Sequence, residues 1–231
     1  NITISGGGSK VLTFQATVTA AGGTSITNFA EVTSSSQADP DSTPNNGNIG
    51  EDDGDTETIT VSPTVNLSVS TNTATEAGAT FVTVTATASA AVVGNQTVSL
   101  GVSGTGITGG DYNLSNAMIT IPNSMTTGSV TFTIVNDAVD EANETAILTI
   151  SSPSAGIALG TTTTRNITIT DDDVAGVTVT ESGGSTNVTE GGATDTYTVV
   201  LTSQPTANVT VNINAGIQVT TSPSPSLTFT P

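Results

Sequence analysis

Carboxylates dominate the residues of this chain that could do chemistry. The sequence has 20 acidic and two basic side chains, and it contains neither histidine nor cysteine. Most of the acids fall in three dense clusters, at residues 39–57, 137–144 and 171–173. Carboxylates without nitrogen or sulfur ligands suit a hard cation such as Ca²⁺ and make a structural zinc site unlikely. The pattern therefore predicts bound calcium ions, with a solvated acidic surface as the alternative.

The first cluster lies in the stretch DPDSTPNNGNIGEDDGD, residues 39–55, which carries six carboxylates. Two aspartates flank a proline, so both can face one point across a stiffened bend. Asparagine amides can add oxygen ligands, and Gly47 permits a tight reversal before the second acidic limb. The acids do not have the spacing of an EF-hand, and a loop that only keeps the chain soluble is the alternative. The predicted ligands in this loop are Asp39, Asp41, Asn45, Glu51, Asp52 and Asp53.

The composition also excludes several classes of function. The net charge is −18, whereas nucleic-acid binding needs clustered lysine and arginine, and an anionic membrane surface would repel this chain. No stretch approaches the roughly 18 apolar residues of a spanning helix, so direct membrane insertion is not expected. Without histidine, cysteine or a lysine near an acidic cluster, we expect no enzymatic activity. The chain begins with Asn1 rather than Met, which favours a mature or excised segment.

Apolar and polar residues alternate along much of the chain, as in VNLSVS, FVTVTATA, SVTFTIV, TAILTI and ANVTVNIN. Alternation of this kind predicts strands with one buried face. Turn-forming clusters such as GTGITGGD and IPNSMTTG separate the strands, and no helical period recurs. We therefore predict an all-β fold of antiparallel β-sandwiches. A disordered threonine-rich stalk is the alternative, but it would lack sustained alternation.

The acidic clusters also suggest how the chain is divided. Each dense cluster follows a run of predicted strands, which places boundaries near residues 62–64 and 173–176. The predicted modules are residues 1–62, 63–173 and 174–231.

Five motifs run through the second module in order: TEAGATFVTVTATAS, GGDYNL, ITIPNSMTTGSVTFTIVND, DAVDEANETAILTISSPSAGIALG and NITITDDD. On these residues the module resembles the Calx-beta domain, known from the calcium-sensing part of sodium/calcium exchangers and from bacterial surface proteins. The resemblance implies an immunoglobulin-like sandwich of about seven strands. It also implies calcium bound at one end of that sandwich.

The resemblance names the ligands of this site motif by motif. Asn136 departs from the pattern because family members often have another aspartate there, so the site carries one negative charge less. An isolated aspartate triplet would indicate only a solvated turn, but the other acids stand in family order. The ligands implied are Glu76, Asp111, Asp137, Glu141, Glu144, Asp171, Asp172 and Asp173.

The flanking modules carry resemblances of their own. The stretch TNFAEVTSSSQADPDSTPNNGNIGEDDGDTETITV resembles the C-terminal half of a domain found in tandem in bacterial cell-surface proteins, and residues 5–20 resemble its middle strands. From residue 174, VAGVTVTESGGSTNVTEGGATDTYTVVL is similar to the opening half of another Calx-beta-like repeat. Glu190 there takes the place of Glu76, which makes it a further predicted ligand. We expect a rod-like tandem array of which this chain is a segment.

These features favour a structural role. We predict a segment of a large extracellular, calcium-stabilised stalk or surface fibre of a bacterial adhesin. Its partners would be calcium ions, neighbouring domains of the same chain and, in a fibre, other copies of it. The alternatives are a calcium-sensing or ligand-binding module and a non-catalytic appendage of a secreted enzyme. Affinity separates the first two, since sensors bind calcium at about 10⁻⁷–10⁻⁵ M and extracellular modules at about 10⁻⁴–10⁻³ M.

Overall fold

A hairpin opens the described part of the chain. The computed structural model describes residues 11, 13, 15–78, 80–222 and 226–231. The hairpin consists of β1 (Ser25–Glu31) and β2 (Gly54–Thr60), which pair antiparallel along their whole length. The described ranges contain no α-helix, and therefore none that is long and apolar enough to cross a membrane.

The middle strands that the resemblance predicted over residues 5–20 lie partly outside the described residues. Residues 15–20 form no strand, while residues 5–10, 12 and 14 lie outside the described ranges.

A β-sandwich follows the hairpin. Its ten strands are β3 (Thr64–Val69), β4 (Thr73–Thr75), β5 (Phe81–Ala88), β6 (Gln96–Thr105), β7 (Tyr112–Leu114), β8 (Met118–Ile121), β9 (Thr127–Ile134), β10 (Glu144–Ser151), β11 (Ala158–Leu159) and β12 (Thr164–Thr170). One sheet has the order β4-β12-β10-β6-β8, and the other has the order β11-β3-β5-β9-β7. This is the predicted all-β, immunoglobulin-like antiparallel sandwich. Two short parallel pairings, β11 with β3 and β12 with β4, are added at its edges.

The core of the sandwich consists of the inward-facing residues of both sheets. Every second residue of β5 and β10 is buried, and the same alternation holds in β9 from Val130 and in β12 from Ile167, as the pleat of a strand requires. The alternating segments from VNLSVS to TAILTI therefore marked the core correctly, whereas ANVTVNIN, which was also predicted to have a buried face, has no buried residue. Its largest fully buried side chains include Leu67, Ile119, Ile121, Phe132, Ile134, Leu148, Ile150, Ile167 and Ile169.

Four strands follow the sandwich: β13 (Val177–Glu181), β14 (Tyr197–Leu201), β15 (Val209–Asn212) and β16 (Ser226–Phe229). They form two separate antiparallel pairs, and a single 3₁₀ turn at Ser182–Gly184 follows β13. Among the described residues, every buried apolar side chain lies between Pro63 and Ile169. Two-stranded sheets alone cannot enclose a core, which explains why the hairpins on either side have none.

Candidate metal centre

Three neighbouring strands bring acids to one end of a sheet. Because β4 runs parallel to β12, both strands finish at the same end, and the antiparallel β10 begins there. Glu144, the first residue of β10, pairs with Ile169 near the end of β12. Glu76 follows β4 directly, and its backbone amide donates to the Thr170 carbonyl over 3.1 Å. Glu76, Glu144 and the start of the 171–173 triplet therefore meet at this end of the sheet.

A change of sheet puts Glu76 in this position. Strand β3 belongs to the sheet that contains β5, whereas β4 belongs to the sheet that contains β12. The chain crosses between the two sheets over residues 70–72, so that the residue after β4 reaches the end of β12.

Two loops bring the remaining acids to the same end. Asp111 lies in the turn between β6 and β7, and its carbonyl accepts a hydrogen bond of 2.9 Å from the Val135 amide just after β9. The loop from β9 to β10 carries Asp137 and Glu141. The backbone amide of Glu141 donates to Asp171 Oδ2 over 3.1 Å, which ties this loop to the closing triplet.

Carboxylate oxygens converge in two overlapping groups at this end. Glu76, Asp137 and Glu141 form one group, and Asp111, Glu141 and Glu144 form the other. Within each group, oxygens from all three residues lie within 4.8 Å of one another. A calcium ion binds oxygens at about 2.3–2.6 Å, so two ligands on opposite sides of it are about 5 Å apart. The residues present therefore fit a hard cation of this size, with Glu141 shared between two positions.

Two of these acids are buried. Glu76 is 2% exposed and Glu144 is 5% exposed. Burial, followed by the charge of Asp171, raises the pKa of Glu76 to about 7. Burial, followed by the charge of Asp111, raises the pKa of Glu144 to about 7 as well. Oε2 of Glu144 is buried and accepts no hydrogen bond from the described residues, so this oxygen has no partner within the fold.

A glycine makes room for the Glu144 side chain. Gly106 has a φ of +81°, a conformation that residues with a side chain rarely adopt. A Cβ atom at this position would lie 3.1 Å from both Cγ and Oε1 of Glu144. The loop after β6 can therefore approach the buried carboxylate only because a glycine stands here.

The closing triplet is divided by its environment. Asp171 accepts hydrogen bonds from the amides of Glu141 and Asp173. Desolvation and the charges of its neighbours, Asp172 first, raise the pKa of Asp173. Asp172 is exposed, and none of the three aspartates belongs to the two converging groups. Ligand roles for all three residues stay a prediction.

Sequence reasoning missed Asp140, which lies in the same loop as Asp137 and Glu141. Its charge is among those that raise the pKa of Asp173. Its position between the predicted ligands Asp137 and Glu141 was the signal that could have identified it as part of the acidic end.

Only part of the predicted ligand set in the first acidic loop converges. Oxygens of Asp39, Asp41 and Asp52 lie within 4.8 Å of one another, and all three residues are exposed. Ser42 Oγ donates to Asp39 Oδ2 over 2.8 Å, and this bond lowers the pKa of Asp39. Asn45 instead serves the backbone: its φ is +66°, and its amide donates to the Val32 carbonyl over 3.1 Å.

The other two acids of that set take different positions. The Glu51 carboxylate accepts hydrogen bonds from the Thr43 amide and from the side chains of Asn46 and Asn48, and the Thr43 bond contributes most to lowering its pKa. Both oxygens of Asp53 are buried and have no partner among the described residues.

Glu190 is not placed like Glu76. It is exposed, and it belongs to none of the converging acidic groups found among the described residues. The two strand pairs around it form no enclosed core that could bury its carboxylate. Its ligand role stays a prediction.

Comparisons with solved structures give weak overall similarity. The chain is 20% identical to "calcium binding domain CBD12 of CALX1.1", with a TM-score of 0.39, covering 44% of this chain and 41% of that one. For "CBD12 from CALX1.2" the identity is 19% and the TM-score 0.40, with coverages of 47% and 44%. For the apo form of the "Calx CBD1 domain" the identity is 20% and the TM-score 0.39, with coverages of 48% and 99%. This chain thus spans less than half the length of the first two. No curated protein matches it significantly.

The sequence itself matches a family model. The model of the Calx-beta domain matches residues 53–173, more than half of the chain. The match ends with the aspartate triplet at the carboxylate-rich end of the sandwich and starts ten residues before the predicted start of the module at residue 63. This match does not test the preceding bacterial surface repeat, so its assignment stays a prediction. The matched residues contain the sandwich that carries these carboxylates, and the chain therefore belongs to the Calx-beta domain family.

Proposed function

We propose that this chain is a calcium-binding structural segment of an extracellular stalk or fibre, in which bound ions stiffen the joints between neighbouring domains. One observation carries the proposal: Glu76, Glu141 and Glu144 converge with two aspartates, and a buried oxygen of Glu144 has no partner in the described part. A calcium ion would supply that partner and neutralise the repulsion among the acids.

The fold offers little internal counter-charge at this site. Lys10 and Arg165 are the two basic residues of the chain, and Lys10 lies outside the described ranges. Arg165 donates to the Leu67 carbonyl over 3.1 Å. It lies on β12 four residues before Ile169, which pairs with Glu144, and this spacing is about 13 Å along a strand. Among the described residues, then, no basic side chain serves this site, which favours solvent cations as the source of positive charge.

The site loop also contacts the following part of the chain. Val139 forms a parallel β-bridge with Gln204, and the Gln204 amide donates to the Ala138 carbonyl over 2.6 Å. Both partners in the loop lie between the candidate ligands Asp137 and Glu141. An ion that orders this loop would therefore order the joint between residues 63–173 and the strands that follow.

The joint before the sandwich is closely packed. The Gly23 amide donates to the Val61 carbonyl over 2.7 Å. A Cβ atom on Gly22 would lie only 2.6 Å from Pro63 Cα and 2.8 Å from Ser89 Oγ. Such close backbone contact supports a fixed rather than a freely rotating joint.

Calorimetry and small-angle scattering test the proposal together. We expect the metal-stripped chain to bind calcium with a dissociation constant of about 10⁻⁴–10⁻³ M, the range of extracellular modules. We expect the scattering to indicate a narrower range of arrangements between neighbouring domains when calcium is added. Gln204→Pro removes the amide that contacts Ala138 and should loosen the joint while leaving calcium affinity unchanged; Gln204→Ala is the matched control. Binding without any change in scattering would contradict the stiffening role.

A calcium sensor is the second candidate. The burial of Glu76 and Glu144 favours it, because two buried carboxylates make the ion-free site unfavourable and couple its loops to occupancy. A submicromolar dissociation constant, with a large rearrangement of residues 135–143 on binding, would support the sensor against the stalk.

A further inference from the structure

A long loop outside the sandwich site folds back on itself. Residues 32–53 join β1 to β2, and a loop of this length without regular structure is unusual unless it has a function. The Val32 amide donates to the Asp53 carbonyl over 2.9 Å, and the Val32 carbonyl accepts from the Asn45 amide over 3.1 Å. The middle of the loop is thereby held against its two ends.

Hydrogen-bond donors of this loop bind the carboxylates of two glutamates. Oε1 of Glu31 accepts from the amides of Asn46 and Gly47 over 2.7 and 3.0 Å. The Glu51 carboxylate accepts from the Thr43 amide over 2.7 Å, and further bonds come from asparagine side chains. These donors partly compensate the charges of both glutamates and hold their carboxylates against the loop. Sequence reasoning did not single out Glu31, because it stands at the end of a strand outside the dense acidic stretch.

Asp53 receives no such compensation. Each of its carboxylate oxygens exposes less than 1 Å² and has no hydrogen-bond partner in the described part of the chain. Desolvation and the charges of Glu31 and Glu51 raise its pKa. A buried carboxylate without a partner is costly, so the fold requires either a proton or a cation at this position.

We propose that the loop encloses a second divalent cation, bound directly by the Asp53 carboxylate. Glu31 and Glu51 supply negative charge around it, and backbone carbonyls or water complete an all-oxygen shell. Such a shell selects a hard ion of the calcium class. The proposal does not depend on the function of the sandwich site. The exposed group of Asp39, Asp41 and Asp52 is not part of the proposed site, because water can solvate its oxygens.

This ion would connect the two strands of the hairpin. Asp53 immediately precedes β2, and Glu31 ends β1 and pairs with Gly54, the first residue of β2. Among the described residues, no enclosed apolar core holds the two strands together. Ion binding would therefore stabilise the open end of the hairpin, where the long loop departs.

The test compares Asp53→Asn with Asp55→Asn in the full chain. Asp55 is exposed on β2 and serves as the matched control. Calorimetric titration of the metal-stripped proteins with CaCl₂ should show one ion fewer for Asp53→Asn than for the wild type and for Asp55→Asn. MgCl₂ should replace CaCl₂ poorly. Equal ion numbers in all three proteins would overturn the proposal.

Terbium luminescence separates this site from the sandwich site. Tyr112 directly follows Asp111, so excitation of tyrosine should sensitise Tb³⁺ bound at the sandwich end. That signal should be the same in Asp53→Asn and the wild type. If the loop ion is lost while the signal persists, the two sites are independent; if both are lost together, the loop is not a separate site and the proposal fails.

Two further measurements guard against misfolding and against another counter-charge. In the wild type, CaCl₂ should shift the NMR amide resonances of Asn46 and Gly47, whose N–H groups contact Glu31. Unmoved resonances at saturating calcium would overturn the proposal. Lys10→Gln should leave the number of bound ions unchanged and should destabilise the hairpin less than Asp53→Asn. If it instead has the same effect as Asp53→Asn in calcium-free buffer, lysine rather than a cation neutralises Asp53.

Discussion

The Glu141 backbone amide donates a hydrogen bond to the Asp171 carboxylate, although the two residues lie thirty positions apart. This bond connects the loop between β9 and β10 to the segment that follows β12. The charge of Asp171 is also among those that raise the pKa of Glu76 and of Glu144, so this residue lies close to both buried carboxylates.

The first prediction compares two neighbours in the triplet. Asp171→Asn should weaken calcium binding at the sandwich end about tenfold or more, because it removes a charge close to both buried carboxylates and weakens the anchor of the loop. Asp172→Asn should change affinity much less, because Asp172 is exposed and the hydrogen bond that ties the loop to the triplet is made by Asp171 instead. Calorimetric titration of both variants checks this, and equal losses would show that the triplet acts only through its total charge.

The second prediction concerns the buried Glu144. At pH 8 and without calcium, Glu144→Gln should stabilise the chain by about 1–3 kcal/mol, because it removes a buried charge whose pKa is about 7. The new amide can also donate to the nearby carboxylates. With calcium, the same variant should bind the ion more weakly. Urea unfolding with and without calcium measures both effects. Glu57→Gln, exposed on β2, is the control and should have neither effect.

The third prediction is a pH dependence of the metal-stripped chain. Glu76 and Glu144 have a pKa of about 7 when folded and an ordinary value of 4.5. The folded state therefore binds more protons than the unfolded state between these values, so stability should fall as pH rises from about 5 to 8. Urea unfolding across this range provides the measurement. Saturating calcium should reverse the trend, since protons compete with the ion.

The control for this pH dependence is the double variant Glu76→Gln and Glu144→Gln. It should show a much flatter profile without calcium, because the two titrating groups are gone. An unchanged slope in the double variant would assign the pH dependence to other carboxylates.

The fourth prediction concerns the glycine beside Glu144. Gly106→Ala should destabilise the chain by about 1 kcal/mol or more, because φ is positive there and the new methyl group would contact Glu144. Calcium affinity should fall as well, since the carboxylate must move. Gly109→Ala is the matched control in the same loop, because a Cβ atom there meets nothing within 4 Å. Thermal unfolding and calorimetry of the two variants should differ clearly.

Local sequence pattern was enough to identify the sandwich and its core. Strand side chains alternate between faces, so the alternating segments around Leu67, Phe132 and Ile167 already marked which residues would be buried. The order of the acidic motifs also predicted which loops would carry carboxylates. These features depend only on neighbours along the chain, which is why the sequence alone could determine them.

Only the tertiary structure decided which carboxylates meet and which are buried. Glu76 is buried because the chain changes sheets after β3 and pairs in parallel with β12, a contact across nearly a hundred residues. Glu190 has a similar local sequence but remains exposed, since no such sheet forms around it. Likewise, Asp52 and Asp53 are neighbours in the sequence, but Asp52 is exposed whereas both carboxylate oxygens of Asp53 are buried. Desolvation and charge repulsion depend on distances in space, and a pattern of letters does not contain those distances.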